Sequence, residues 1–308
     1  RSTLFPYTTL FRSIIESPDK VPRFMTVAMK DCRVEPSPLW LQCELMRLGS
    51  KPINNIVDIT NYIMLMTAQP THAYDYDKLR GKEISARMAR DDEEISLLNG
   101  KTYKLTADDI VIADAEGPVG LAGIMGGSDS EVSSETKNIV IEVATFDMYA
   151  VRKTAMRHGV FTDALARFNK GQSPLQNDRV LARLMKMIQD LTGARQASDV
   201  YDLPDKSGQL EEVSMSGEIR IATDFINSRL GSNLTVFEIG GLLRRTNFAS
   251  YPAEDDDQTL IIGAPFWRTD IVDPEDVVEE VGRLYGFDKL PCELPLRVMS
   301  IIDRKSVV

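Results

Sequence analysis

Lys51-Pro-Ile-Asn-Asn-Ile-Val-Asp-Ile-Thr-Asn-Tyr62 (KPINNIVDITNY) opens a mostly apolar, helix-like run, Asn54–Thr67. Its polar residues Asn54, Asp58 and Asn61 are spaced i, i+4, i+7 and share one helix face, which leaves the remaining surface free for burial. Gln69-Pro70 stops the run. Upstream, Arg23–Val34 alternates apolar and polar residues and reads as a strand. Ser37-Pro38 then starts a helix, with Ser37 as its cap, Gly49 at its end and Leu41, Leu45 and Leu48 on one face. Downstream the period changes. Glu83–Met88, Glu94–Leu98, Ile110–Ala113 and Ile139–Val143 are short β runs, separated by turn signals such as Asn99-Gly100 and Gly126-Gly127. Another helix follows Ser173-Pro174, with an apolar stripe of Leu181, Leu184, Met185, Ile188 and Leu191 and Gly193 at its end. Helices and short strands interleaved in this way predict a mixed α+β fold.

Asp202–Gly217 lacks periodicity and is rich in Asp, Glu, Ser, Pro and Gly, which marks a linker. A smaller α+β domain follows. It has a short strand at Ile219–Ala222, then two helices, the second opened by the capping box Thr235-x-x-Glu238. An acidic hairpin tip at Glu254–Asp257 leads to a strand at Thr259–Ala264, and a last helix runs from Asp273-Pro274 to about Tyr285. Neither end joins smoothly to its neighbour: Arg1–Ser13 and Arg304–Val308 fit no element. The expected organisation is therefore a non-native leader over 1–13, a first domain over 14–201, a linker over 202–217, a second domain over 218–292, and a tail over 293–308 whose last residues are non-native.

A length of 308 residues agrees with two domains. With 43% hydrophobic and 27% charged residues the chain has ordinary globular composition, which excludes wholesale disorder. No window approaches the roughly 18 uninterrupted apolar residues of a membrane helix, so no membrane partner is expected. The net charge of −10 excludes a uniformly basic nucleic-acid coat. Three scattered cysteines and two histidines support neither a disulfide framework nor a zinc site. The chain contains no P-loop, dinucleotide-binding glycine pattern, zinc-protease helix or hydrolase elbow.

Five features could carry chemistry. Arg152–Lys186 holds eight bases and two acids, a local +6 that suits phosphates or simply a solvated helix face. Gly120, Gly123, Gly126 and Gly127 allow close backbone approach by a ligand or another strand, or form a tight β-bend. Glu142 sits inside an apolar strand, where it is either buried with a partner or exposed at an edge. His72 falls in a loop after a helix and His158 in the basic stretch; each reads as structural on its own. Asp270, Asp273, Glu275, Asp276, Glu279 and Glu280 place six carboxylates in eleven residues. Helix-dipole effects and Arg283 balance part of that charge, and the remainder would suit a hard cation such as Mg²⁺.

Several of these stretches resemble one family. Lys51–Tyr62, Gln69-Pro-Thr-His-Ala-Tyr-Asp75, Leu121-Ala-Gly-Ile-Met-Gly-Gly127, Arg157-His-Gly159 and Arg167-Phe168 are similar to the editing (B3/B4) domain of bacterial phenylalanyl-tRNA synthetase β subunits. Phe266-Trp-Arg-Thr-Asp-Ile271 with Glu279-Glu-Val-Gly-Arg-Leu-Tyr-Gly286 resembles the B5 domain of the same family. The resemblance implies a B3/B4 domain with mixed sheets and flanking helices, then a small winged-helix-like B5 domain. It implies a cytoplasmic α₂β₂ heterotetramer with the synthetase α subunit, tRNA(Phe) as partner, and ATP used by the holoenzyme but not bound by this segment. Hydrolysis of tyrosine wrongly esterified to tRNA(Phe) is the implied reaction, with the non-catalytic alternative of a scaffold for α subunit and tRNA, or an editor acting in trans.

Residue by residue, the resemblance puts the editing pocket at His72, Gly126, Glu142, Thr162 and Ala164, with Lys51 where the family usually has Arg. Glu142 would read the tyrosine hydroxyl, Gly126 and Ala164 would leave room for the ring, and His72 and Thr162 would orient ester and water. Mg²⁺, shared with the α subunit, would be held by Asp270, Asp276, Glu279 and Glu280. The chain departs from the family at Ala68 (usually Gly), Leu165 (usually small and polar), and Asn169 and Gln172 (usually acids).

Overall fold

The computed structural model describes residues 11–203 and 217–290, so Cys292, the tail, and most of the leader and linker lie outside the described residues. The chain divides into two units at Ser214/Met215.

In the first unit two sheets are stacked and helices cover one of them. One sheet has the order β1-β4-β7-β8-β9, formed by β1 (Arg12–Ile15), β4 (Glu83–Met88), β7 (Ile110–Ala113), β8 (Pro118–Leu121) and β9 (Met125–Gly126). The other has the order β11-β2-β10-β3, formed by β2 (Arg23–Lys30), β3 (Thr71–Asp75), β10 (Ile139–Thr145) and β11 (Arg195–Gln196), with β12 (Tyr201–Leu203) also pairing β2. A separate ribbon joins β5 (Glu94–Ser96) to β6 (Thr102–Lys104).

Alternation along β2 and β10 divides the core. Phe24, Ala28, Val140 and Ala144 pack toward the β4–β7–β8 sheet, while Met25, Val27, Met29, Ile139, Ile141 and Val143 pack against helices. Those helices are α1 (Leu39–Arg47), α2 (Asn55–Thr67) and α5 (Asn177–Thr192), which contribute Leu41, Leu45, Ile56, Ile59, Ile63, Leu181, Leu184 and Ile188. Two more helices, α3 (Met148–His158) and α4 (Asp163–Phe168), add Val151, Ala155, Leu165 and Phe168 to the core between the sheets.

Several local expectations change. Ser37 does not cap α1: its hydroxyl donates to buried Asp58 at 2.6 Å, and Pro38 stands at the cap. Leu48 lies past the end of α1 and is exposed, unlike Leu41 and Leu45. Asn54 does cap α2, accepting from the amides of Ile56 and Val57. Met185 and Leu191 are only half-buried beside the stripe of α5. Arg12 and Ser13 belong to β1, which runs parallel to β4, and Asp202 and Leu203 belong to β12.

The second unit has a three-stranded antiparallel sheet of order β13-β15-β14. Its strands are β13 (Glu218–Ala222), β14 (Ala249–Ala253) and β15 (Asp256–Gly263), and its helices are α6 (Thr223–Leu230), α7 (Val236–Arg244) and α8 (Pro274–Tyr285). Ile219, Ile221, Ile226, Ile239, Leu243, Leu260, Ile262, Val277 and Val281 form its own core. The predicted capping box is present, as is a second one between Asp273 and Asp276. The sequence reading missed β14 because Pro252 interrupts it. The strand lies at the sheet edge, where a missing N–H costs no ladder bond.

Candidate functional site

Glu142 is not an edge residue. Strand β10 lies between β2 and β3, and Glu142 stands directly opposite Thr26 on one neighbour and His72 on the other. Side chains at directly opposed positions project on the same face. A polar row of Thr26, Glu142 and His72 therefore crosses the sheet on its inner face. His72 belongs to β3, not to a loop. Sequence pattern missed this short strand because it follows Pro70 immediately and carries no clean apolar alternation.

A cavity of about 70 Å³ opens beside this row, several times the roughly 10–15 Å³ that admits one water. Its polar lining comes chiefly from His72, Tyr74 and Glu142; Ile112, Leu121, Ile124, Phe146, Ala164 and Phe168 are among its apolar walls. Only 7% of Glu142 is exposed, and Tyr74 Oη donates to its Oε2 at 2.6 Å. Burial pushes the Glu142 carboxyl up to about 7, against the lowering effect of the Tyr74 hydrogen bond. Burial lowers His72 to about 4, so its imidazole is uncharged at neutral pH. The His72 and Tyr74 rings meet edge-on with centroids 4.5 Å apart.

The glycine-rich stretch is both a tight bend and a cavity wall. Strands β8 and β9 form a hairpin, and Gly120 through Gly126 line the cavity. A Cβ on Gly126 would lie 2.6 Å from His72 Cε1 and Nε2, so this glycine makes room for the imidazole. Gly123, at φ +70°, has a conformation that costs other residues about 1–2 kcal/mol.

Two expected pocket residues lie elsewhere. Thr162 caps α4: its hydroxyl donates to Ile124 O at 2.8 Å and accepts from Leu165 N. It steadies the cavity wall without lining it. Lys51 is exposed in the loop before α2 and is likewise outside the lining. Ala164 does line the cavity, while the Leu165 side chain is buried in the core. Sequence reasoning missed Tyr74 and Thr26; the alternating spacing of Tyr74 after His72 was the available signal.

The Arg157-His158 pair proves structural. Asp109 is wholly buried and accepts from Thr154 Oγ1 and Arg157 Nη1, both at 2.7 Å, and pairs with His158 Nε2 at 3.1 Å. Burial raises its pKa, but these hydrogen bonds and the Arg157 charge outweigh burial and hold it below the usual carboxylate range. Within the basic stretch, Arg152 is also bound to Asn169 O, Arg167 to Asp163 and Lys186 to Asp190. Much of the local +6 therefore serves the fold.

In the second unit the carboxylates do not form a metal centre. No group of three or more His, Cys, Asp or Glu among the described residues could hold a metal ion. Arg268, which the charge count over 270–280 left out, sits among them. It donates to both oxygens of Asp270, at 2.7 and 2.6 Å, and to Glu280 Oε1 at 2.7 Å. Arg283 takes the other Glu280 oxygen, Asp276 accepts the amides of Val272 and Asp273 in the capping box, and Glu279 is exposed. Protein cations and amides thus already meet the demand that suggested Mg²⁺, and these residues as arranged do not fit the ion.

Two stacked sheets with an acid-lined cavity, followed by a small three-stranded unit, match known domains in that order. The B3/4 domain model matches residues 20–193 and the tRNA synthetase B5 domain model matches residues 219–287. The chain belongs to the B3/4 domain family. It is 38% identical over 282 residues to the phenylalanine–tRNA ligase beta subunit of Staphylococcus haemolyticus, covering 92% of this chain and 34% of that one. The Fusobacterium nucleatum beta subunit is 37% identical over 299 residues, covering 97% and 36%. The chain thus spans about a third of the length of the curated relatives it matches. An N-terminal fragment of the Pyrococcus horikoshii phenylalanyl-tRNA synthetase β subunit aligns at TM-score 0.41 and 16% identity, covering 93% of this chain and 77% of that one. The resemblance to phenylalanyl-tRNA synthetase β subunits seen in the sequence is thus the one the comparisons return. No described helix is long and apolar enough to cross a membrane.

Proposed function

We propose that the first unit hydrolyses the ester joining tyrosine to tRNA(Phe), and that the chain does so as part of a synthetase β subunit partnered by an α subunit. The observation that carries this reading is Glu142: a carboxylate with one oxygen held by Tyr74 in a cavity of mixed lining that includes the Phe146 and Phe168 rings. At about 70 Å³, against roughly 150 Å³ for a cavity that holds benzene, it would have to widen around an aromatic side chain, whose hydroxyl the carboxylate would then accept. A phenylalanine ring in the same place would leave the second oxygen of a desolvated carboxylate without a donor, at a cost of about 1–3 kcal/mol or more. An apolar synthetic pocket rejects an added hydroxyl poorly, so a second site that requires the hydroxyl supplies the missing selectivity.

In the reaction, water oxygen adds to the ester carbonyl and the ribose oxygen leaves with a proton, giving tyrosine and free tRNA. Uncharged His72, against the Gly126 backbone, is placed to orient the ester or the water; Thr162 holds the wall through Ile124. A non-catalytic scaffold is the second reading. It is favoured by the Thr162 hydroxyl, whose one proton is donated to Ile124 O and which also accepts from Leu165 N, outside the cavity lining.

The test is deacylation of tyrosyl-tRNA(Phe) by the full chain, with phenylalanyl-tRNA(Phe) as control. Faster release of tyrosine, reduced in Glu142→Ala, is expected. Equal release of both amino acids overturns the reading, and no release by the folded chain supports the scaffold.

A further inference from the structure

Tyr74 is among the most buried side chains in the cavity wall, at 2% exposure, yet it is a phenol where phenylalanine would fill the same space. It stands opposite Val140 on β10, diagonal to Glu142 and on the same inner face. Among the described residues its hydroxyl has one partner, Glu142 Oε2 at 2.6 Å. A carboxylate offers about four acceptor positions on two oxygens. Among the described residues Glu142 Oε1 has no protein donor, and Glu142 lines the cavity. One phenol thus occupies one oxygen from inside the protein, and a ligand phenol would find the second.

We propose that Tyr74 is a positioning and specificity-determining residue: its hydroxyl holds Glu142 Oε2 and leaves Oε1 as the acceptor for the hydroxyl of a phenolic ligand. The proposal rests on Glu142 being the hydroxyl-reading group described above. The neighbourhood shows why Tyr74 matters for charge as well as orientation. On β3 the titratable groups facing Glu142 are His72 and Tyr74; on β2 the opposed residue is Thr26, which does not titrate; the β8–β9 hairpin contributes no charged side chain to the cavity lining. His72 is uncharged at neutral pH and supplies no positive charge. The Tyr74 hydrogen bond is therefore the favourable contact for the ionised carboxylate among the described residues, and it opposes the upward effect of burial. Without it Glu142 holds its proton to higher pH, and a neutral acid is a weaker acceptor for a phenol.

The test is Tyr74→Phe, which keeps the ring and removes only the hydroxyl. Two readouts separate the possibilities. The first is a carbon-13 NMR titration of the Glu142 carboxyl in the unliganded full chain, assigned by its disappearance in Glu142→Gln. The second is release of tyrosine and of phenylalanine from tRNA(Phe) between about pH 6 and 9, a range chosen to bracket the Glu142 titration. The expected result is an upward move of the Glu142 midpoint by about one pH unit. Preference for tyrosine should fall about fivefold at neutral pH, as the ionised fraction drops from about one half to about one in eleven, and recover in alkaline solution. A variant in which both esters slow equally and the midpoint stays in place overturns the proposal, because Tyr74 would then only fill space. If the unmutated chain shows no preference for tyrosine, the editing reading fails. The NMR midpoint still decides this proposal: unchanged, it sinks it; raised, it supports the positioning role.

Discussion

At the scale of single residues, the cavity acid destabilises the fold at the pH where it would work. The ordinary Glu pKa is about 4.3, and in the folded chain Glu142 sits at about 7. A raised folded pKa means the native state holds the proton that the unfolded chain has lost. The stability associated with the protonated form is fully present below about pH 4 and is lost as pH rises through about 7. Over that interval the loss approaches about 3 kcal/mol. Glu142→Gln cannot ionise. We expect it to match the unmutated chain in urea denaturation near pH 4 and to exceed it by about 3 kcal/mol near pH 8. Equal stabilities at the two pH values would show that Glu142 does not titrate as its burial requires. A carboxylate flanked by Ile141 and Val143 was visible in the sequence as an anomaly, but its burial was not, because the pattern equally allows an exposed edge strand. Its partner was not visible, because Tyr74 reads as an ordinary aromatic until strand pairing places it beside the acid.

Elements show the same division between what a pattern carries and what only pairing reveals. Helices α2 and α5 and strand β2 follow from period, and β7 and β10 from short apolar runs between turn signals. Strand β3 does not, because it follows Pro70 at once and mixes polar with apolar residues, and Pro252 breaks the pattern of β14. Ala68 illustrates a local rule overridden: it closes α2 at φ 59°, where the family usually has glycine. The carboxylates around α8 are a case where spacing was legible and charge balance was not. Six acids in eleven residues suggest a cation, but the cation comes from Arg268, outside the window, and reaches Asp270 and Glu280 together. Burial raises Glu280, while Arg268 and Arg283 outweigh it and hold Glu280 below the usual range. A site already neutralised gains little from Mg²⁺. Adding millimolar Mg²⁺ to the full chain, or removing divalent ions with a chelator, is expected to leave thermal melting of the second unit unmoved. A rise of several degrees with Mg²⁺ would mean that the ion displaces Arg268 and binds the carboxylates.

At the scale of the whole molecule, the two units have separate cores. Two clusters, on the two faces of the sheet that holds β2 and β10, belong to the first unit, and a third belongs to the three-stranded unit that follows. The sequence announced this partition through the loss of periodicity after Asp202, and the described core clusters share no residue between the units. A core that closes on itself unfolds as its own cooperative unit. Ile239 tests this, because it is wholly buried on α7 in the second core and remote in role from the cavity acid. Truncation of such a side chain to alanine costs about 2–5 kcal/mol. Ile239→Ala should therefore move one of two urea transitions to lower denaturant and leave the other, reported by aromatic signals from the first unit, in place. It should also leave the Glu142 titration unchanged, since no residue of the second core lines the cavity. A single transition that shifts as a whole would show that the two cores are coupled in folding. In that case the carboxylate cavity would depend on the second unit for stability, and mutations there would alter the proposed ester hydrolysis without touching the site.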